Sequence, residues 1–225
     1  MQYPTSWLQG VSLGESISSE LRLQIINGTI KPGEILSENR IASDFGTSRS
    51  PVREAMKTLS NEGLIRLERM GAVVLGLSLK DVEELYDVRY LIESFVQSHV
   101  FAEPHPDLLR NLQQIIDRME LAAKHHDPVE FSFQDLAFHE RIIMEARHKR
   151  ILHLWKSIRP IVITVMLITT EQVFSGGDNK IKYVLDKHIK LLQEMGSLEP
   201  ARIQAAVDHY FEDSRTTLHH SFPKG

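Results

Sequence analysis

Three histidines and one aspartate in the second half of the chain have the types and spacing of metal ligands. Asp135 and His139 are four residues apart and therefore lie on one face of a helix. His188 falls within the apolar stripe of a later helix, and His209 follows two small alanines that leave room beside it. If these four side chains point into a helical core, they can bind a divalent metal. Zinc is the first candidate, and nickel and manganese are the alternatives. From the residues alone a second interpretation stays open, in which each histidine is a core residue satisfied by an ordinary hydrogen bond.

A second set of residues has the chemistry of nucleic-acid recognition. The segment Ser48–Arg53 places Arg49 and Arg53 four residues apart, on one face of a helix. Arginine can bond a guanine edge or a phosphate through two parallel hydrogen bonds. Ser48 and Ser50, at the start of this helix, can donate to phosphate beside free backbone N–H groups. The alternative is that the arginines are solvated helix residues, as most exposed arginines are.

Composition and charge limit the classes of protein that need to be considered. The chain is 42% hydrophobic and 25% charged, a globular balance, and it has no cysteine, which excludes disulfide scaffolds and thiolate chemistry. Its net charge is −4, and residues 1–78 are neutral with eight basic and eight acidic residues, so DNA binding must depend on where the charges lie. No apolar run approaches the ~20 residues of a membrane span, and the first ten residues do not form a secretory leader. We therefore expect a cytoplasmic protein that does not enter a membrane.

The elements that must position the basic segment are three short helices and a hairpin. Gly28, Gly46 and Gly63 mark the ends of the helices, because glycine permits the left-handed cap. Two β-rich runs, 64–68 and 72–75, flank a glycine turn. Helix, turn, helix and hairpin form a winged helix-turn-helix, whose third helix enters the major groove of DNA.

From residue 79 the helical period dominates to the end of the chain. Six amphipathic helices with short connections predict an antiparallel bundle. The breaks between them are at Pro104–Pro106, Asp127-Pro128, Gly176-Gly177 and Glu199-Pro200. The predicted fold is mainly α, with a winged helix-turn-helix domain at 1–78 and an all-helical domain at 79–225.

The run LSENRIASDFGTSRSPVREAMKTLSNEGLI, residues 36–65, resembles the signature of GntR-type bacterial transcription regulators over its full length. The helical remainder is similar to the effector-binding domain of the FadR subfamily, known as FCD. In this family the positions matching Arg40, Ser48, Arg49, Arg53 and Gly71 touch DNA. The resemblance therefore implies that these residues read or anchor a double-stranded operator, with the hairpin tip around Gly71 approaching the minor groove.

The resemblance also implies a ligand site in the helical domain. An Asp-x-x-x-His pair followed by histidines 49 and 21 residues further on matches the FCD pattern at Asp135, His139, His188 and His209. Arg89 matches an arginine that faces the effector cavity in FCD relatives, where it would hold a small carboxylate beside the metal. An ion pair between Arg89 and Glu93, four residues along the same helix, is the alternative role.

Together these features predict a homodimeric regulator that binds an operator and senses a small organic acid, rather than an enzyme. Two alternatives stay open. A metal-dependent hydrolase is suggested by His139-Glu140, but the motif H-E-x-x-H needs a histidine where this chain has Ile143. A constitutive DNA binder with a purely structural metal differs only in lacking an exchangeable ligand.

Overall fold

Three helices and a small sheet form the first of two units in the computed structural model, which describes residues 1–69 and 71–222. The chain divides between Ser78 and Leu79. A short 3-10 turn, Thr5–Leu8, precedes the first helix. The helices are α1 Leu13–Ile26, α2 Glu38–Asp44 and α3 Arg49–Asn61, and the strands are β1 Ile35–Leu36, β2 Ile65–Glu68 and β3 Gly71–Val74.

Local signals in the sequence explain where the helices of the first unit begin and end. The side chain of Ser12 accepts from the backbone N–H of Glu15, whose own side chain accepts from Ser12, a complete capping box. Gly28 and Gly63 follow α1 and α3 with φ of +75° each, the left-handed conformation that a helix end requires. A buried ion pair then joins α1 to the end of α3: Arg22 Nε and Nη2 donate to Glu62 at 2.7 and 2.6 Å.

The sheet contains one strand more than the sequence predicted. β2 and β3 form the expected antiparallel hairpin, and β1 pairs with the other edge of β3, with Ile35 opposite Val73. β1 has only two residues, and so short a strand leaves no alternation to detect. Met70, at the predicted hairpin tip, lies outside the described residues.

Six helices form the second unit, as the hydrophobic periodicity predicted. They are α4 Leu79–Val100, α5 Pro106–Lys124, α6 Pro128–Glu145, α7 Lys149–Ser175, α8 Asp178–Met195 and α9 Pro200–Ser221. Asp127 caps α6 by accepting from the backbone N–H of Glu130 at 2.9 Å. The mainly α architecture, a winged helix-turn-helix followed by a helical domain, is confirmed.

The central helix of the second unit is α7. Every residue from Ile161 to Thr170 is buried, which explains why this stretch is apolar on all sides. By length and composition alone α7 is apolar enough to cross a membrane. Here it is a core helix, because its most apolar residues pack inside the unit.

Candidate metal, anion and DNA sites

Three of the four predicted metal ligands converge in the core of the second unit. Asp135 and His139 on α6 and His188 on α8 are buried, and their ligand atoms lie within 4.8 Å of one another. The Oδ1 atom of Asp135 is 3.1 Å from His188 Nε2 and 3.4 Å from His139 Nε2. Both imidazoles therefore direct the same ring nitrogen at one carboxylate oxygen.

Hydrogen bonds on the far side of each imidazole fix its tautomer. His139 Nδ1 lies 2.5 Å from Glu93 Oε2, and His188 Nδ1 lies 2.8 Å from the carbonyl oxygen of Val184. Carboxylate and carbonyl oxygens only accept, so both Nδ1 atoms donate. Each histidine therefore turns its Nε2 atom toward Asp135. This is the outer hydrogen bonding that orients histidine toward a metal, and the donor set fits a divalent ion.

The electrostatics of the cluster favour a positive charge at this point. Burial opposes ionisation of Asp135, but the charge and hydrogen bonds of His188 and His139 hold the pKa of its carboxyl well below the usual range. Burial would lower the pKa of His139, yet the Glu93 and Asp135 carboxylates outweigh it and raise that pKa. The cluster thus stabilises a cation on its inner face.

The fourth predicted ligand, His209, is not in the cluster, and that part of the prediction is corrected here. Its side chain is 51% exposed, and its Nε2 atom lies 3.6 Å from Asp213 Oδ2 on the outside of α9. The inward face of α9 carries Tyr210 and Phe211, and His209, about 100° from Tyr210 and about 200° from Phe211 around the helix, points outward. The residue that faces the core is Tyr210, whose hydroxyl lies 2.8 Å from His139 Nε2 and 3.2 Å from His188 Nε2.

Arg89 lies beside the cluster and makes the ion pair that the sequence left as an alternative. It is 2% exposed, and its Nε donates to Glu93 Oε1 at 3.0 Å. Its guanidinium carbon lies 4.9 Å from the ring centre of Tyr86 and 5.4 Å from that of Phe211. The Nη2 atom, although 2.9 Å from the same Glu93 oxygen, makes no hydrogen bond. One donor of a buried guanidinium is therefore available to a ligand.

A small polar pocket of about 50 Å³ opens next to Arg89 and Asp135. Lys187 reaches it from α8: its Nζ lies 4.9 Å from the ring centre of Tyr210 and 3.5 Å from Ser214 Oγ. Burial lowers the pKa of Lys187 against the Asp213 and Asp135 carboxylates, which raise it. The serine and threonine residues that line the pocket are Thr169, Thr170, Ser214 and Thr217. Neither Lys187 nor these hydroxyls was predicted from the sequence as part of a site.

A larger cavity of about 430 Å³ lies alongside the small pocket. The two share Val173, Val184 and Thr217 as lining residues. A space of 50 Å³ holds one or two water molecules, at about 30 Å³ each. A small acid that reaches Arg89 must therefore extend into the larger cavity or push side chains of α8 and α9 aside.

The predicted DNA-reading residues lie on the exposed side of α3 and just before it. Val52, Ala55, Met56 and Leu59 are its buried residues. Ser48, Arg49, Ser50 and Arg53 are all exposed. The hydroxyl of Ser48 makes no capping hydrogen bond, so it and the first N–H groups of α3 remain available to an anion.

Two further predicted DNA contacts have different surroundings. Arg40 on α2 is 81% exposed, and its Nε is 3.8 Å from Asp44, a contact that leaves the side chain free to turn. Gly71 has φ of +131°, and a Cβ there would lie 2.3 Å from the backbone oxygen of Leu36. The close approach of β1 to β3 therefore requires glycine at this position, whatever the residue does at DNA.

Among the residues that the structure describes, Arg53 has an ion-pair partner on a neighbouring helix. Its Nε donates to Glu38 Oε2 at 2.8 Å, and its side chain is 63% exposed. The pair links α2 to α3 and holds the guanidinium on the outer face of the recognition helix. Such an exposed pair is worth little, so the guanidinium can exchange Glu38 for a phosphate.

Both units match known protein families. The family described as "Bacterial regulatory proteins, gntR family" matches residues 13–75, and the FCD domain matches residues 84–213. A gluconate operon transcriptional repressor of Bacillus subtilis (strain 168) is 39% identical over 211 residues, which cover 94% of this chain and 87% of that protein. The Bacillus licheniformis protein of the same name is 37% identical with the same coverage. The solved structure of E. coli McbR/YncC shares the fold, with a TM-score of 0.72 at 18% identity over 93% of this chain and 98% of that one.

Proposed function

The chain belongs to the gntR family of bacterial regulatory proteins and carries an FCD domain, which makes it a DNA-binding transcription regulator, and we propose that a hydroxylated carboxylate bound at Arg89 controls its affinity for DNA. One observation carries the proposal. Arg89 lines a polar pocket, and its buried Nη2 atom, although ion-paired with Glu93 at 2.9 Å, makes no hydrogen bond. A carboxylate in the pocket would supply an acceptor for this donor.

The chemistry of the pocket defines the class of acid. Arg89 and Lys187 supply two positive charges, and threonine and serine hydroxyls line the same pocket. A ligand with one carboxylate and several hydroxyls satisfies both kinds of group. The names of the Bacillus relatives refer to a gluconate operon, and gluconate is a six-carbon acid of this kind. We therefore take gluconate as the first probe.

The buried cluster of Asp135, His139 and His188 would hold a divalent metal, zinc first, with nickel or manganese as alternatives. When bound, such an ion offers open coordination positions to a carboxylate. The residues of the chain do the rest: Glu93 orients His139, the Val184 carbonyl orients His188, and Arg89 holds the acid beside them.

At DNA, the exposed face of α3 is the reading surface in this proposal. Arg49 and Arg53 reach base edges or phosphates in the major groove, and Ser48 and Ser50 donate to phosphate, with Arg40 as a further phosphate contact. Two copies of the chain as a homodimer would read the two halves of a pseudo-palindromic operator. Such a protein acts in the cytoplasm, where the DNA is.

A hydrolytic role for the cluster lacks a general base. Glu140, the candidate beside His139, is committed elsewhere: its carboxylate accepts from Arg159 at 2.6 and 3.0 Å and from the indole of Trp155 at 2.8 Å. The second histidine of the hydrolase motif is replaced by Ile143. The proposal is therefore a regulator that is not an enzyme.

Calorimetry on the full-length protein tests the effector proposal and separates it from constitutive DNA binding. Gluconate should bind, hexanoate should bind at least tenfold more weakly because it lacks hydroxyls, and glucose should not bind because it lacks charge. An operator selected by the protein from a random duplex pool should then change its affinity when gluconate is added. DNA binding that is indifferent to every acid tested would favour the constitutive alternative.

A matched pair of variants on α8 localises the binding. Lys187→Met should lower gluconate affinity about tenfold or more, in keeping with loss of a charge-assisted contact. Thermal stability of the free protein should be unchanged or higher, since a partly desolvated charge is removed. Lys190→Met, one turn away and exposed, should change neither quantity. Equal losses of gluconate affinity in the two variants would show that Lys187 does not contact the bound acid.

A further inference from the structure

Tyr210 occupies the corner of the metal cluster that the sequence pattern assigned to His209. Tyr210 is 6% exposed, and its ring packs edge-on against the ring of His188, with 5.2 Å between the two ring centres. Its hydroxyl lies within hydrogen-bond distance of the Nε2 atoms of both His139 and His188. The hydroxyl oxygen is thus directed at the same point as the ligand atoms of the other three residues.

Four possible ligand atoms of this cluster face one point in the core. Both Nδ1 atoms donate outward, so each histidine turns its Nε2 atom toward Asp135 and Tyr210. The phenolic oxygen lies 2.8 and 3.2 Å from the Nε2 atoms of His139 and His188, and Asp135 Oδ1 lies 3.4 and 3.1 Å from the same two atoms. A cation at the centre would contact both nitrogens and both oxygens together.

We propose that a metal ion in this cluster takes the phenolic oxygen of Tyr210 as its fourth protein donor, in place of His209. The donor set is then two imidazole nitrogens, one carboxylate and one phenolate, which is harder than three imidazoles and a carboxylate. Harder donors shift preference from zinc toward ions such as Fe(III). Coordination releases the phenolic proton to solvent, as metal binding does for other protonated ligands. This inference rests on the metal site of the proposed function and deepens it.

Visible spectroscopy of the metal-loaded, full-length protein tests the assignment, because a phenolate bound to Fe(III) gives a charge-transfer band that imidazole and carboxylate do not. The protein is stripped with a chelator, loaded with one equivalent of Fe(III) supplied as its nitrilotriacetate complex, and desalted. Wild type should retain about one iron per chain and show the band. Tyr210→Phe should retain iron through Asp135, His139 and His188 but lose the band.

The matched control is Tyr183→Phe on α8, a tyrosine whose hydroxyl donates to Asp213 at 2.6 Å away from the cluster. This variant should keep both the iron and the band. Iron bound by wild type without the band, a band that persists in Tyr210→Phe, or no retained iron would each overturn the proposal. Gluconate-dependent DNA binding is measured separately, so failure of the tyrosine assignment is distinguishable from failure of the regulatory function.

A second variant keeps the test independent of how well Tyr210→Phe folds. Tyr210→His restores an imidazole at this corner and should raise affinity for zinc about tenfold or more, by analogy with the effect of a single ligand-shell change. His209→Ala should leave zinc affinity unchanged, since that side chain points outward. A loss of zinc affinity in His209→Ala equal to that in His188→Ala would contradict the arrangement.

Discussion

Glu93 on α4 is a buried carboxylate whose loss should lower the stability of the second unit. It is 1% exposed and serves two cationic partners at once, accepting from Arg89 Nε at 3.0 Å and from His139 Nδ1 at 2.5 Å. The change Glu93→Gln keeps the shape and one acceptor oxygen but removes the charge. Arg89 then remains buried without its ion-pair partner, because a guanidinium keeps its proton in proteins.

Removing one partner of a buried ion pair costs about 3–5 kcal/mol, since the other charge stays desolvated and unpaired. For a domain of this size, a loss of 1 kcal/mol in the free energy of unfolding lowers the melting temperature by roughly 2–4 °C. We therefore expect the melting transition of the second unit to fall by roughly 6–20 °C. Glu84→Gln is the matched control on the same helix, because Glu84 pairs with Lys80 at 3.5 Å on the surface. The Glu84→Gln control should lower the free energy of unfolding by less than ~1 kcal/mol.

Differential scanning calorimetry of the chelator-treated protein at several pH values measures the effect. The pKa of Glu93 is lowered by His139 and Arg89 against the opposing effect of burial, so its charge stabilises the fold above the ordinary value of 4.5. The difference in melting temperature between wild type and Glu93→Gln should therefore have its full size near neutral pH. This difference should become smaller as the pH falls below 4.5 and through the pKa of Glu93 in the folded protein. A variant no less stable than Glu84→Gln at neutral pH would refute the charge argument.

Three shorter predictions concern the first unit. Arg49→Ala should weaken operator binding by about 1–3 kcal/mol if Arg49 makes a bidentate base contact, measured by fluorescence anisotropy. Arg202→Ala, an exposed arginine of the second unit, is the control. Unchanged affinity in Arg49→Ala would remove Arg49 from the set of base-reading residues. Gly71→Ala should destabilise this unit by about 1–3 kcal/mol, because the new Cβ meets a backbone oxygen, and loss of DNA affinity without loss of stability would show that strain is not the cause. Glu62→Gln should cost about 3–5 kcal/mol in urea denaturation, since Arg22 would stay buried without its partner; a cost below ~1 kcal/mol would contradict the burial argument.

Helix phase explains which of the four predicted metal ligands lie together and why His209 does not. Asp135 and His139 are four apart on one helix, so their shared face followed directly from sequence. On α9 the buried residues Ile203, Ala206, Val207, Tyr210 and Phe211 keep the spacing of three and four that marks an inward face. His209 is two positions from Val207 and falls on the opposite side. The stripe itself was the signal that could have identified Tyr210.

The periodicity of the sequence does not predict contacts between elements that are far apart along the chain. The ion pair of Arg89 and Glu93 was foreseeable because both lie on α4, four residues apart. That Glu93 also orients His139, 46 residues away, depends on how α4 packs against α6. Likewise, Lys187 precedes a predicted ligand on α8, but only the approach of α9 places its ammonium over the ring of Tyr210.

Charge balance in the core links the metal and the acid that are proposed as ligands of the second unit. The described groups around the pocket include two cations, Arg89 and Lys187, and two carboxylates, Glu93 and Asp135, so the cluster is near neutral when the imidazoles are uncharged. A divalent ion adds two positive charges to this dry region, and an acid anion beside it offsets part of that excess. Binding of the metal and of the acid should therefore be positively coupled, and linkage requires that each raise the affinity of the other by the same factor. Zinc titrations with and without gluconate, and gluconate titrations with and without zinc, measure that factor twice. A factor of one in both would show that the acid does not share the electrostatic environment of the metal cluster.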